Sequence, residues 1–427
     1  AKNPSLTASY LYNSILESIE AHQLSGSTIR QLEKMVRHAA ILSARGLTDQ
    51  SMKLLLKVET LAEARQEFII LQQVYRQMRT LLASNRGSEN LSVSMEHVLQ
   101  ENLRSAKEIT LLSEIRFIQY EFQQKVAISG DLNQNPTEEL KGLINSEVMR
   151  RITDSSGLFA QITAYNIRSQ FYMLTGDDKQ GMLNSKKMFD LCYDHKDMLQ
   201  ERGRLLMAAA NNYMVRCNRV EAYSEIGRIL DLLQKDRSKH LEVETIRLET
   251  YYSNKLTLLI STGDKSDNEI LNNIENDLSE YESKMNQAFV MLILGSASQY
   301  AFAQGNLKAA LYWVNRFINH ENRNSLEKNL GIAYKYRLLI YYQQGKLDLI
   351  ESMISSHSKT QTELPVVFPL ISDLLDDFLL REIQHGERHQ ENIKILSVGL
   401  QHLKKQKLEE EAFEFFPFDV WAQTILI

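Results

Sequence analysis

The sequence predicts an all-α chain, a solenoid of about nine antiparallel helix pairs, and three observations predict it. Proline is scarce, 5 residues in 427, beside only 17 glycines. Proline removes a backbone donor and clashes with the preceding turn, so its scarcity lets helices run almost everywhere. Alternating Val/Ile/Thr runs bounded by Asn-Gly or Asp-Gly are missing, so nothing signals paired strands. Short turn signals recur evenly, at 46, 87, 130, 176, 217, 263, 305, 345 and 386, with spacings of 41, 43, 46, 41, 46, 42, 40 and 41. Glycine tolerates the left-handed backbone just past a helix end, and Asn is its usual substitute, so each mark reads as a tight turn within a repeat of roughly 40–46 residues.

The flanking residues support each turn. Residues 1–25, with Leu11 to Glu20 at their centre, read as an N-terminal capping helix. Around Gly46 lie Met35, Ala39 and Leu42, then Leu55 and Val58, spaced as single helix faces. Before Cys217-Asn218 runs the small-residue stretch Ala208-Ala209-Ala210, and Ala222, Ile226 and Ile229 follow. Gly305 is preceded by Leu294, Ala297, Ser298 and Ala301 and followed by Ala310, Val314 and Phe317. Around Gly345 stand Tyr334, Leu338 and Tyr341, then Ile350 and Ile354. The polar run at 355–365, ending at Pro365, reads as a linker, with 130–136 the next candidate. Residues 400–427 read as a C-terminal cap, since Phe413, Phe415, Phe416 and Phe418 imply burial against the last repeat. Neither linker is long, so 1–427 reads as one array whose stacked neighbours supply the core.

These positions resemble the tetratricopeptide repeat. The likeness rests on small residues midway along the first helix and Gly-Asn or Gly-Asp at the turn. It also rests on the first-helix aromatics Tyr172, Tyr213 and Tyr341 and the second-helix alanines Ala222 and Ala310. It is best over 201–234 and 290–318. Two features depart from the family: the repeat exceeds its 34 residues, and its proline after the second helix is missing. The resemblance implies a right-handed superhelix whose first helices line a concave groove. Transferred through the turn marks, that groove would present Gln170, Arg204, Asn211, Thr257, Gln299 and Lys335 to a protein or peptide segment. Arg and Asn can hydrogen-bond a peptide backbone or carboxylate. The complete carboxylate clamp of co-chaperone members is not reproduced.

Catalytic motifs are missing: no dinucleotide fingerprint, Walker loop or nucleophile elbow occurs. His385-Gly386-Glu387-Arg388-His389 has two histidines at helical spacing, but not the His-Glu-x-x-His order, and glycine stands at a turn mark. Cys192 and Cys217 are too few and too far apart for a zinc knuckle or redox pair, and such sparse cysteine fits a reducing compartment. Asp373, Asp376 and Asp377 read as an exposed helix face, as does the acidic stretch from Asp264 to Glu282. Net charge is −5, from +2 over residues 1–100 to −3 over 201–300, so no basic block suggests nucleic acid; Arg202, Arg204, Arg216 and Arg219 are followed by compensating acids. No run of 18 apolar residues would span a membrane. Ala1 suits removal of an initiator Met, or equally a start left by signal-peptide cleavage.

The expected function is therefore a cytoplasmic, non-enzymatic interaction scaffold, with no catalytic residue, metal or cofactor. A regulatory solenoid sensing a peptide or small ligand is the first rival. An enzyme built as a closed ring of helix pairs is the second, disfavoured by short turns and only 2 Trp.

Overall fold

A computed structural model describes residues 28–84, 93–132, 137–199, 203–238, 240–321, 327–360, 368–386, 389–406 and 409–426, with isolated positions between 11 and 18. Among the described residues every regular element is helical. The chain divides into two compact units, 1–216 and 217–427.

The first unit holds α1 (Thr28–Ala44), α2 (Thr48–Glu63), α3 (Phe68–Ser84), α4 (Met95–Leu132), α5 (Thr137–Ile144), α6 (Glu147–Arg151), α7 (Leu158–Leu174) and α8 (Asp178–Asp194). Helix α9 (Gly203–Arg219) crosses the boundary. The second unit holds α10 (Tyr223–Lys235), α11 (Leu241–Thr262), α12 (Ile270–Tyr281), α13 (Gln287–Ala303), α14 (Leu307–Ile318), α15 (Glu327–Gln343) and α16 (Leu347–Thr360). After these come α17 (Pro369–His385), α18 (Gln390–Leu403), α19 (Glu410–Phe415) and α20 (Phe418–Leu426). Consecutive helices pack in pairs, most extensively α7 with α8, α13 with α14, α1 with α2 and α3 with α4.

The paired helices share one turn chemistry. Gly46, Gly176, Gly305 and Gly345 all have φ between 72° and 79°. The amide after each donates to the carbonyl five residues back: Leu47 to Leu42 (3.0 Å), Asp177 to Tyr172 (2.9 Å), Asn306 to Ala301 (2.9 Å) and Lys346 to Tyr341 (3.1 Å). This bond closes the first helix. The same Asp177 and Asn306 then open the second helix, their side chains accepting from the amides of Gln180 and Ala309, each at 3.1 Å. Gly-Asp and Gly-Asn are thus a stop and a start in two residues.

Two further turns of this kind carry no glycine. Gln66 (φ 52°) and Glu221 (φ 58°) hold the left-handed position, and Glu67 and Ala222 donate to Ala62 and Cys217 at 2.9 and 2.8 Å. The mark expected at 217 therefore lies inside α9, and the turn falls at 221. Position 130 lies in the last turn of α4, a helix of 38 residues that ends two residues on at Leu132, because a helical glycine costs only about 1 kcal/mol and does not end a helix by itself. Residues 355–360 of the expected linker belong to α16. The mark at 87, the rest of that linker and most of the N-terminal capping helix lie outside the described residues.

Across three hairpins a buried contact repeats, between positions seven before and five after the left-handed glycine. Ser51 Oγ donates to the Ala39 carbonyl at 2.7 Å, Ser169 Oγ to Gly181 at 3.0 Å and Ser298 Oγ to Ala310 at 2.7 Å. Small residues let the helices approach, and the hydroxyl satisfies itself where no water reaches. In the hairpin turning at Glu221 the fifth position is Ile226, buried, whereas Ala222 is the half-buried N-cap of α10. The expectation that Ala222 packs in the helix crossing is thus displaced by one turn of helix.

In the first unit one apolar cluster joins α1 to α3 through Leu32, Leu55, Leu71 and Tyr75, and another centres on Ile115 and Phe122 of α4. In the second unit a cluster runs from Leu248 to Ala422.

Candidate binding surfaces

The six sequence-predicted groove residues fall three in each unit. Gln170, Arg204 and Asn211 belong to 1–216, on α7 and α9. Arg204 is exposed, and Gln170 and Asn211 are half-buried. Gln170 Nε2 donates to Asn166 Oδ1 at 3.2 Å, and Asn212 Nδ2 reaches the same oxygen at 3.4 Å. Thr257, Gln299 and Lys335 belong to 217–427. Thr257 spends its hydroxyl on the Ser253 carbonyl of its own helix, 2.8 Å away. Lys335 is only 5% exposed and its ammonium is bound to Asp376 of α17, so it does not face an open surface. Gln299 Nε2 donates to the carbonyl of Phe415.

That last bond belongs to a larger arrangement. Phe415 and Phe416 lie on α13 and α15, the first helices of two successive hairpins. The Phe416 ring is 4.3 Å from that of Tyr336 and 5.5 Å from that of Phe302. Phe415 packs 5.6 Å from Phe317 and over Gly295. Phe416 and Phe418 are both buried; Phe416 meets Phe302 and Tyr336 of earlier hairpins, whereas Phe418 packs on Phe413 and Phe416 and opens α20, which lies against α18 of the last hairpin.

In the first unit, among the described residues, no segment lies over the corresponding face. A groove of about 570 Å³ lies between α1 and α3, lined by Ala40, Ser43, Ala44, Gln73, Arg76, Gln77, Thr80 and Leu81. Gln77 Nε2 bridges to the Val36 carbonyl at 3.3 Å and joins the walls. Among the described residues, the side chains of Gln73 and Arg76 have no hydrogen-bond or ionic partner. Sequence reasoning missed this groove because it carried the register forward only from residue 170. The available signal was charge: α1 and α3 hold Arg30, Lys34, Arg37, Arg76 and Arg79 against Glu33 alone.

A second hollow of about 530 Å³ is lined by residues including Gln66, Gln161, Tyr165, Lys187, Asp190 and His195. Its amides are committed: Gln66 Oε1 accepts from the Leu158 amide at 2.6 Å, and Gln161 Nε2 donates to the Ser156 carbonyl at 2.7 Å. These bonds fix the start of α7.

The other singled-out residues have structural partners. In the acidic stretch, Asp267 pairs with Lys255 at 3.3 Å, and Glu275 with Arg316 at 2.7 Å. Glu282 takes both Arg316 and His320. His385 and His389 stack at 4.7 Å around the turn at Gly386, which the buried carboxylate of Glu382 holds through the His389 amide (3.2 Å), Asn392 (2.9 Å) and Tyr342 (2.6 Å). Both cysteines are buried, and burial pushes the Cys192 thiol up to about 12, the wrong direction for a nucleophile. Among the described residues no group of three His, Cys, Asp or Glu side chains could hold a metal ion, and no helix is long and apolar enough to cross a membrane. Comparison with protein-family models, with curated proteins and with solved structures found no match.

Proposed function

We propose that this chain is a non-enzymatic, tetratricopeptide-like interaction protein that takes an extended segment of a partner between the first helices of successive hairpins. One observation carries this reading: among the described residues, Gln73 and Arg76 in the groove between α1 and α3 have no side-chain partner, whereas Gln299 and Lys335 are committed. Uncommitted Gln73 and Arg76 stand at its wall, and Ala40, Ser43 and Ala44 leave room for a backbone to approach. By contrast Gln299 and Lys335 are engaged by Phe415 and Asp376.

The test is a photo-crosslinking amino acid placed at Ala40 or Thr80, with Lys57 on α2 as the outward control. The expected result is a discrete adduct from either groove position in native-cell extract, and none from Lys57. Adducts from Lys57 alone would place binding on the opposite face.

A further inference from the structure

We infer that the groove between α1 and α3 binds a partner segment that is both acidic and aromatic. The inference rests on the proposed function and names the chemistry of the occupant.

The first argument is register. Counted back from the left-handed glycine, Ala40 and Ser43 stand six and three residues before Gly46. At the same offsets from Gly305 stand Gln299 and Phe302. Those two residues hold the chain's own segment at 413–418: the Gln299 carboxamide takes the Phe415 carbonyl, and Phe302 receives the Phe416 ring edge-on. The second unit therefore shows what this face accommodates, a short segment fixed by one backbone carbonyl and wedged in by rings. In α1 the same two positions carry smaller side chains, which widens the space, and Gln73 on α3 supplies an uncommitted carboxamide.

The second argument is charge. Several arginines of this protein hold a carboxylate: Arg151 with Glu114 at 2.9 Å, Arg228 with Glu225 at 2.9 Å, Arg247 with Glu244 at 2.6 Å. Arg37 and Arg76 are exposed, and neither has a carboxylate partner among the described residues. Arg37 lies three and seven residues before Ala40 and Ala44, hence on the groove side of α1. Glu33, one turn further along that stripe, is the only acid on either helix, which together sum to +4, from five basic residues less one acid. Guanidinium groups bind carboxylates in a fixed two-pronged geometry, and an arginine with no internal partner is available to an external one. The segment seated in the second unit has that composition, Glu-Glu-Ala-Phe-Glu-Phe-Phe-Pro-Phe over 410–418.

The test is fluorescence anisotropy of the full chain with four labelled peptides: that nine-residue sequence, its Glu→Gln form, its Phe→Ala form and a Lys-for-Glu form. The first should bind saturably, and each other form about tenfold or more weaker, the size expected when a charged or aromatic anchor is lost. Arg37→Glu with Arg76→Glu should weaken the first peptide similarly, with the melting temperature unchanged. Equal binding of the Gln or Ala form, indifference to the double substitution, or no binding at all would overturn the inference. So would preference for an oligonucleotide added as a fifth probe. An adduct at Ala40 with no binding by the acidic aromatic peptide would sink this inference and leave the proposed function standing. No adduct there would sink the proposed function itself.

Discussion

At the scale of the residue, single positions decide how closely two helices meet. Ala310 is fully buried and its carbonyl receives the Ser298 hydroxyl. Ala310→Leu should therefore destabilise the chain by about 1–3 kcal/mol, since added methylenes have nowhere to go. Ala222→Leu should change stability by less than about 0.5 kcal/mol, because Ala222 caps α10 half-exposed. Urea denaturation of both variants checks the pair, and equal losses would put the register out by a turn. Glu221 adopts a left-handed backbone that suits glycine, so Glu221→Gly should stabilise by about 0.5–1 kcal/mol despite the freer unfolded chain. A lower melting temperature would show that the Glu221 side chain makes a contact worth more than the strain. The 3–4-spaced faces, Ser298, Ala310 and Val314 among them, were legible in the sequence because burial imposes that period. Glu221 and Gln66 were not, since nothing in their chemistry announces a left-handed residue.

At the scale of the element, Gly-Asp and Gly-Asn turns could be read in advance because both residues act locally, one ending a helix and the next capping another. Gly130 stands inside α4 because a single helical glycine costs only about 1 kcal/mol, and the helix ends two residues later at Leu132. Ion pairs along elements were invisible as pairs, although their members were not. Arg247 and Glu244, three apart on α11, are both largely buried. Burial opposes the charge on Glu244, but hydrogen bonds from Arg247 and the Ser238 amide outweigh it and hold its pKa below the usual carboxylate range. A carboxyl whose pKa is lowered by folding contributes fully above its unfolded value, and loses that contribution as pH falls through the folded one. Glu244→Gln should accordingly destabilise at neutral pH, with the gap from the unsubstituted chain closing below pH ~4, the ordinary carboxylate range. Melting curves across that range test it, and a constant gap would mean the loss is one of packing rather than charge.

At the scale of the whole molecule, an all-helical chain in paired helices follows from proline scarcity and the turn period. The groove between α1 and α3 does not, since it depends on side chains from helices about forty residues apart facing one another. The role of 413–418 was half legible: four phenylalanines in six positions announced burial, but not the destination. That destination separates contacts by time. The hairpin of α13 and α14 closes over a sequence separation of 12, whereas the bond from Gln299 to Phe415 spans 116. Closing the longer loop costs more chain entropy, and the reward comes only after α13 and α15 already stand side by side. The second unit should therefore fold hairpins first and seat its aromatic segment late. Phe416→Ala should speed unfolding while leaving the refolding rate nearly unchanged, whereas Ala310→Leu should slow refolding. Stopped-flow refolding followed by tryptophan fluorescence can separate the two, because Trp313 lies on α14 and Trp421 on α20. What locks the second unit is thus the step least involved in building it, and its lifetime, more than its rate of formation, is set by two phenyl rings.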